Sequence, residues 1–366
     1  VTSPAPVVRP RAWALLLALV LGATWWIDVV HWHGMAAGVV DAALVELRVH
    51  RTVNAWSWVG FIQPPGFSLL LHALDGLERA VGLSPALGVF LLGAVVDSVL
   101  LAVLSTLVAR RFGLHWGLLT AGMLALNPAT LRPFEHYPLA QLLATLGVLV
   151  VVAAGRGRRS PAAAAAVVLL GSLIHLATLF VTLPVVVAVF VARPERRRGL
   201  LSAGAVAGAL LLASTFPDFW IQLQEESVST LPPGGPNIGW SNPLLVGLLG
   251  LWFVPALRGP DRWAAWGPTG FAAIIAGLQA GGLVNGVPFP SGMHYFTIVD
   301  PLLVLSAVVV VARIRPAAIR GGFVVLLGVT QAALFARAAV VLWGDPGVLL
   351  RALGPWRWFG TIPGVG

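Results

Sequence analysis

Asp41, Glu46, Arg48, His50 and Arg51 fall within a dozen residues of one another, in the longest polar interruption of a chain otherwise built from apolar runs. The interruption covers residues 31–85, from His31-Trp32-His33 through Gln63-Pro64-Pro65-Gly66-Phe67 to Ser84-Pro85. Carboxylates of this kind accept protons from nucleophiles, and guanidinium groups grip phosphate oxygens through paired hydrogen bonds. Such groups are costly beside a bilayer, so a chain that keeps them there points to their use. For each arginine alone, the simpler reading is a side chain snorkelling to lipid headgroups. Metal binding has little behind it. Imidazoles at positions 31 and 33 point apart on a helix, and no third ligand is evident nearby, although Asp41 and Glu46 can recruit a divalent cation if a phosphate comes with it.

The surroundings of this cluster are those of a membrane protein. Of 366 residues, 58% are hydrophobic and only 10% charged, against about a quarter charged in soluble domains. The mean hydropathy is +0.89. Every basic side chain except histidine is arginine, and the net charge of +9 reads as membrane topology rather than as a nucleic-acid footprint. There is no cysteine, which excludes disulfides, thiolate metal sites and a cysteine nucleophile.

Apolar runs place spans at about 12–29, 86–108, 115–131, 137–154, 162–175, 177–192, 200–216, 243–257, 264–282, 296–312 and 321–342. The expectation is an all-α polytopic membrane bundle of about eleven spans over residues 1–342, with a short outer tail at 343–366. The first run follows Arg9 and Arg11 without a small-residue cleavage site and reads as a retained anchor. With a cytoplasmic N-terminus, the inner turns collect sixteen arginines, from Arg9 and Arg11 through Arg110, Arg111, Arg156, Arg158, Arg159, Arg193 and Arg196–Arg198 to Arg258, Arg262, Arg313, Arg315 and Arg320. That asymmetry follows the positive-inside rule and puts segment 31–85 outside, consistent with a bacterial inner membrane.

Two arginine-rich turns bracket 162–192, too short for two full spans at about 1.5 Å per residue, so this pair is either short and tilted or a re-entrant hairpin broken near His175. Within the outer segment, Met35–Val49 has helical spacing. Pro64-Pro65 then opens a second amphipathic stretch over 66–81, whose Leu69, Leu70, Ala73 and Leu77 stripe predicts a helix lying in the interface. A second outer loop, 216–242, holds Pro232-Pro233-Gly234-Gly235-Pro236 and reads as a lid or a spacer. The fifteen tryptophans cluster near span ends as an interfacial belt.

An ordered series of features resembles the GT-C membrane glycosyltransferases, which include the protein O-mannosyltransferases and the aminoarabinose transferases. A first span leads to an outward loop with an acid on a short helix, then Pro-Pro, a leucine-rich interfacial helix, Ser-Pro and a span ending Arg110-Arg111-Phe112-Gly113. Leu126-Asn127-Pro128, Tyr137-Pro138-Leu139-Ala140, Gly171-Ser172-Leu173 with Pro184, and His294-Tyr295 leading to Pro301-Leu302-Leu303 continue it, so the resemblance covers about 12–312. It implies a polyprenyl-phosphate sugar donor, an acceptor hydroxyl or amine on the outer face, and Asp41 as catalytic base. Arg48, Arg51, Arg132 and His294 become candidates for steadying the departing lipid phosphate. Glu46, Gln63, Glu135, His136, Gln141 and Tyr295 complete the substrate-binding set, and no cofactor is required.

This chain also departs from the family. Ala42 stands where a second acid often follows the first, a further acid of the second outer turn or the head of the fourth span is offered by Glu135 while Gln141 occupies the more usual spacing, and only about twenty-four residues follow Leu342, where a soluble domain is common. The second hypothesis is accordingly a catalytically inactive GT-C-fold subunit that assembles with partner membrane proteins. A transporter is disfavoured by the lack of paired halves with matching broken spans. Asp97 in mid-span and Arg337 in the last span should face the bundle interior, and Asp300 before Pro301 reads as a helix N-cap.

Overall fold

The computed structural model describes residues 65–81, 85–127, 137–215, 245, 267–274 and 298–343. These residues are almost entirely helical, with no strand among them. In chain order the labelled helices are α1 (Pro65–Val81), α2 (Pro85–Phe112), α3 (Leu114–Ala125), α4 (Tyr137–Gly155), α5 (Pro161–Ile174), α6 (Ala177–Ala192), α7 (Arg197–Thr215), α8 (Asp300–Ala312) and α9 (Ala317–Trp343). A 3-10 turn, Pro194–Arg196, joins α6 to α7. Pro138–Gly155 and Ala317–Ala336 are each long and apolar enough to cross a bilayer.

Proline and glycine punctuation sets most boundaries. α4 ends in a Schellman motif: the Arg158 N–H donates to Ala153 O at 2.9 Å, the Gly157 N–H to Ala154 O at 3.0 Å, and Gly157 takes the left-handed φ of 72°. Three residues later Ser160 caps α5 by accepting from the Ala163 N–H at 3.1 Å, with Pro161 in the first turn. α5 stops where His175 is extended (φ −156°, ψ 123°), and the His175 Nδ1 accepts the first N–H of α6, from Ala177, at 3.1 Å. The break expected near His175 therefore lies there. At the far end of α6, Arg197 donates to the carbonyls of Phe190 and Val191, and the chain turns so that α6 and the segment that follows lie at 113°.

α3 differs from the expected span at 115–131. It has twelve residues, roughly 18 Å of helix and well short of about 30 Å of hydrocarbon. The Asn127-Pro128 pair explains the stop, since proline excludes helical geometry from the residue before it.

The core lies where α2, α4 and α8 pack against one another, with α3 against α2, α8 and α9, and α5 and α6 against α4. Leu104, Val148, Leu302, Val304 and Val308 are wholly enclosed there. Small residues permit close approach. A Cβ on Gly117 would come within 2.5 Å of Ala109 Cβ and 2.9 Å of Ser105 O, so α3 folds back tightly on α2. The outward faces of α7 and α9 are apolar, with Val206, Leu212, Val325 and Val329 exposed by 60% or more. On α1, Phe67 is buried and Leu74 packs on the core, whereas Leu69 and Leu77 of the expected stripe face away from the bundle.

Candidate functional site

The arginine-rich turns meet at one end of the bundle. Arg111 at the close of α2 and Arg156 and Arg158 after α4 border a common cleft with the second half of α8, and the backbone at Gly157 lies against the Arg196 guanidinium of the α6–α7 turn. Chain direction then fixes the opposite end. It holds the end of α3 at Asn127, the start of α4, the α5–α6 break at His175 and the start of α8 at Asp300. α1 begins at this end too, because Gly66 packs on the backbone of Leu173 in the last turn of α5.

This second end is polar inside. Asn127, Gln141, His175 and Asp300 are all buried, and so are Asp97 on α2 and Gln331 on α9. Gln141 and Thr145 lie one turn apart on the α4 stripe that also buries Ala140, Ala144 and Val148, so the packed face of α4 carries the amide inward. Most buried hydroxyls here follow the helical habit of donating back one turn, as Thr120 does to Trp116 O, Thr182 to Thr178 O and Ser306 to Leu302 O. Among the described residues, the hydroxyls of Ser98, Thr145, Thr178 and Thr269 are buried without a hydrogen-bond partner. In a low-dielectric interior each such group costs roughly 1–3 kcal/mol.

Asp300 is the clearest residue that the sequence reading placed differently. Val299 holds the cap position, and Asp300 lies one step inside α8 at 3% exposure, where a carboxylate favours the positive end of the helix dipole. Its place in an apolar run, directly before a proline, was the available signal. Asp97 is enclosed as expected, whereas the side chain of Arg337 lies outside the described residues.

Of the sequence-derived site residues, Gln141 is described. Asp41, Glu46, Arg48, Arg51, Gln63, Arg132, Glu135, His136, His294 and Tyr295 lie outside the described residues. The chain nevertheless joins several of them to polar-end anchors. Gln63 stands two residues before α1; Arg132, Glu135 and His136 lie between Asn127 and Tyr137; His294 and Tyr295 precede Ile298 and the start of α8. Among the described residues, no three His, Asp or Glu side chains come together as a metal-binding group. Comparison with protein-family models, with curated proteins and with solved structures finds no match.

Proposed function

We propose that this chain is an integral membrane glycosyltransferase of GT-C type, with Asp41 as its base. The observation that carries the reading is the sorting of side chains between the two ends of the helices. Arginines gather at one end, while the opposite end carries buried polar groups and anchors three of the segments that hold candidate substrate residues. Apolar exposed faces on α7 and α9, and two helices of spanning length, support embedding in a bilayer. The arginine end is then cytoplasmic and the polar end outside, as the positive-inside rule requires of a bacterial inner-membrane protein.

In the proposed reaction the Asp41 carboxylate takes the proton of an acceptor hydroxyl or amine, and the freed lone pair attacks the anomeric carbon of a polyprenyl-phosphate sugar. The bond from that carbon to the phosphate oxygen breaks, the sugar inverts, and polyprenyl phosphate leaves with the bonding electrons. Arg48, Arg51, Arg132 and His294 serve to hold the growing negative charge on the phosphate. A general base of this kind contributes roughly 10²- to 10⁴-fold to rate. No cofactor is needed, although Asp41 and Glu46 with a phosphate can take up a divalent cation.

A second reading has its own support. With Ala42 after Asp41 and an amide buried at Gln141, the chain lacks the acid that often follows the first and has Glu135 rather than an acid at the more usual spacing, which suits an inactive subunit that assembles with partner membrane proteins. Membranes containing the full chain, supplied with polyprenyl-phosphate sugars labelled in the sugar, separate the two. A transferase releases label to an acceptor and loses that activity in Asp41→Asn, while an assembly subunit transfers none and is recovered with its partners whether or not Asp41 is replaced.

A further inference from the structure

α6 and the segment that follows part from their shared turn at 113°, and α5 packs against both α6 and α7, so a groove opens between the two diverging helices with α5 as its floor. Its volume is about 170 Å³. Leu179, Leu183 and Val186 of α6 line one side and Gly204 and Gly208 of α7 the other. Among the described lining residues Ser172 alone has a polar side chain, and its hydroxyl donates to Val168 O at 2.8 Å. We propose that this groove seats an acyl chain of an anionic phospholipid of the cytoplasmic leaflet, with the headgroup at the arginine turns where the two helices part. The inference rests on the membrane embedding and sidedness proposed above and is independent of the transfer chemistry.

Three observations favour this occupant. The lining offers hydrocarbon and a hydroxyl already satisfied, which suits an apolar chain and gives a polar ligand nothing to bind. The groove also has room and a side opening: Leu183 is 43% exposed, and a Cβ on Gly204 or Gly208 would meet no atom within 4 Å. One turn of a helix about 10 Å across fills roughly 400 Å³, so an acyl chain fits where a further helix does not. Finally, the charge stands at one mouth. Pro161 and Leu200 line the groove where the α4–α5 and α6–α7 turns touch, since the Arg196 guanidinium lies against the Gly157 backbone and a Cβ on Gly199 would come 3.0 Å from Pro161 Cγ. Arg159 and Arg198, exposed on those two turns, are placed for a phosphate outside the hydrocarbon, and Arg197 braces the vertex through its bonds to the carbonyls of Phe190 and Val191.

The experiment uses the purified full-length chain, stripped of copurified lipid and titrated in detergent with phosphatidylglycerol, phosphatidylcholine or glycerophosphoglycerol, the last being the same head without acyl chains. Native mass spectrometry reads the bound species. Wild type is expected to bind phosphatidylglycerol more tightly than phosphatidylcholine and not to release it to glycerophosphoglycerol. The G204L/G208L variant fills the groove beside α7 and should weaken phosphatidylglycerol binding roughly 10-fold, as excluding about two buried methylenes would. It should keep its thermal stability, because leucine is a better helix former than glycine. Gly328→Leu, which meets open space on α9, is the control and should bind as wild type does. R159Q/R198Q should lose roughly 30-fold for phosphatidylglycerol, as two cations at a membrane surface would give, and leave phosphatidylcholine unchanged. Wild-type affinity in G204L/G208L, displacement by glycerophosphoglycerol, or equal losses of the two lipids in R159Q/R198Q would overturn the proposal. A wild-type dimer that G204L/G208L converts to monomer would overturn it too, by giving the groove to a second copy of the chain. Extraction of the chain from membranes by alkaline carbonate, measured before purification, would instead defeat the embedding itself.

Discussion

The side-chain amide of Gln331 on α9 donates to the carbonyl of Leu126, just beyond α3, at 3.2 Å, and lies equally close to the carbonyl of Met123. More than two hundred residues separate the partners in sequence. Because the last carbonyls of a helix have no partner within it, a buried end needs an outside donor, and Gln331 supplies one. The short α3 is thereby tied to a helix of spanning length.

Gln331→Leu removes that donor while roughly keeping the volume. The expected loss is about 1–2 kcal/mol, the range for a buried carbonyl left unsatisfied in a bilayer protein. Unfolding in mixed micelles measures it, with Val329→Leu on the exposed face of the same helix as the control. Equal stabilities of the Gln331→Leu variant and the control would mean that the bond contributes nothing to holding α3.

Gly117 is fixed by space rather than by backbone angle. Gly117→Val is expected to lower stability by about 1–3 kcal/mol, the usual cost of overfilling a packed contact. Ala109→Gly in the same chain should restore part of the loss, since Ala109 Cβ is the nearest atom in the way. Strictly additive effects of the two substitutions would show that α2 and α3 do not meet at this point.

His175 ends one helix and starts the next. His175→Ala should cost about 1 kcal/mol, as loss of a capping acceptor does, and His175→Asn should recover most of it. Amide exchange at Ala177 is the direct readout, faster in the Ala variant and near wild type in the Asn variant. Unchanged exchange in both variants would remove the capping role.

Sidedness can be tested cleanly because the chain contains no cysteine. Single cysteines at Arg158 and Glu195 should react with an impermeant reagent only from the cytoplasmic side, and those at Gln63 and Glu135 only from the outside. Labelling of all four from one side would rule out the proposed topology.

Much of the helical outline was legible locally. The bounds of α1 and α4 and the break at His175 follow from Pro65, Tyr137-Pro138, Gly155 and the arginine turns, all of which act within a few residues. Contacts made over long sequence distances were not legible. Nothing near Gln331 marks it as a donor to α3, and at Asp300 only the apolar run around it points to a buried first-turn carboxylate rather than a cap. On α1, periodicity identified the apolar face at Leu69 and Leu77, which is exposed, while it did not mark Phe67 and Leu74, which make the contact with the core. At the candidate site, residue types and order suggested the chemistry, and the fold adds the polar end to which several of those segments are joined.

The most direct measurement is sugar transfer by the purified chain and by Asp41→Asn, set beside photolabelling of each by a polyprenyl-phosphate probe. The account expects the wild type to transfer, and the variant to lose roughly 10²-fold or more in turnover while taking up the probe equally well. Transfer by the variant at the wild-type rate would contradict the assignment of Asp41, and a wild type that takes up no probe and transfers no sugar would contradict the transferase itself.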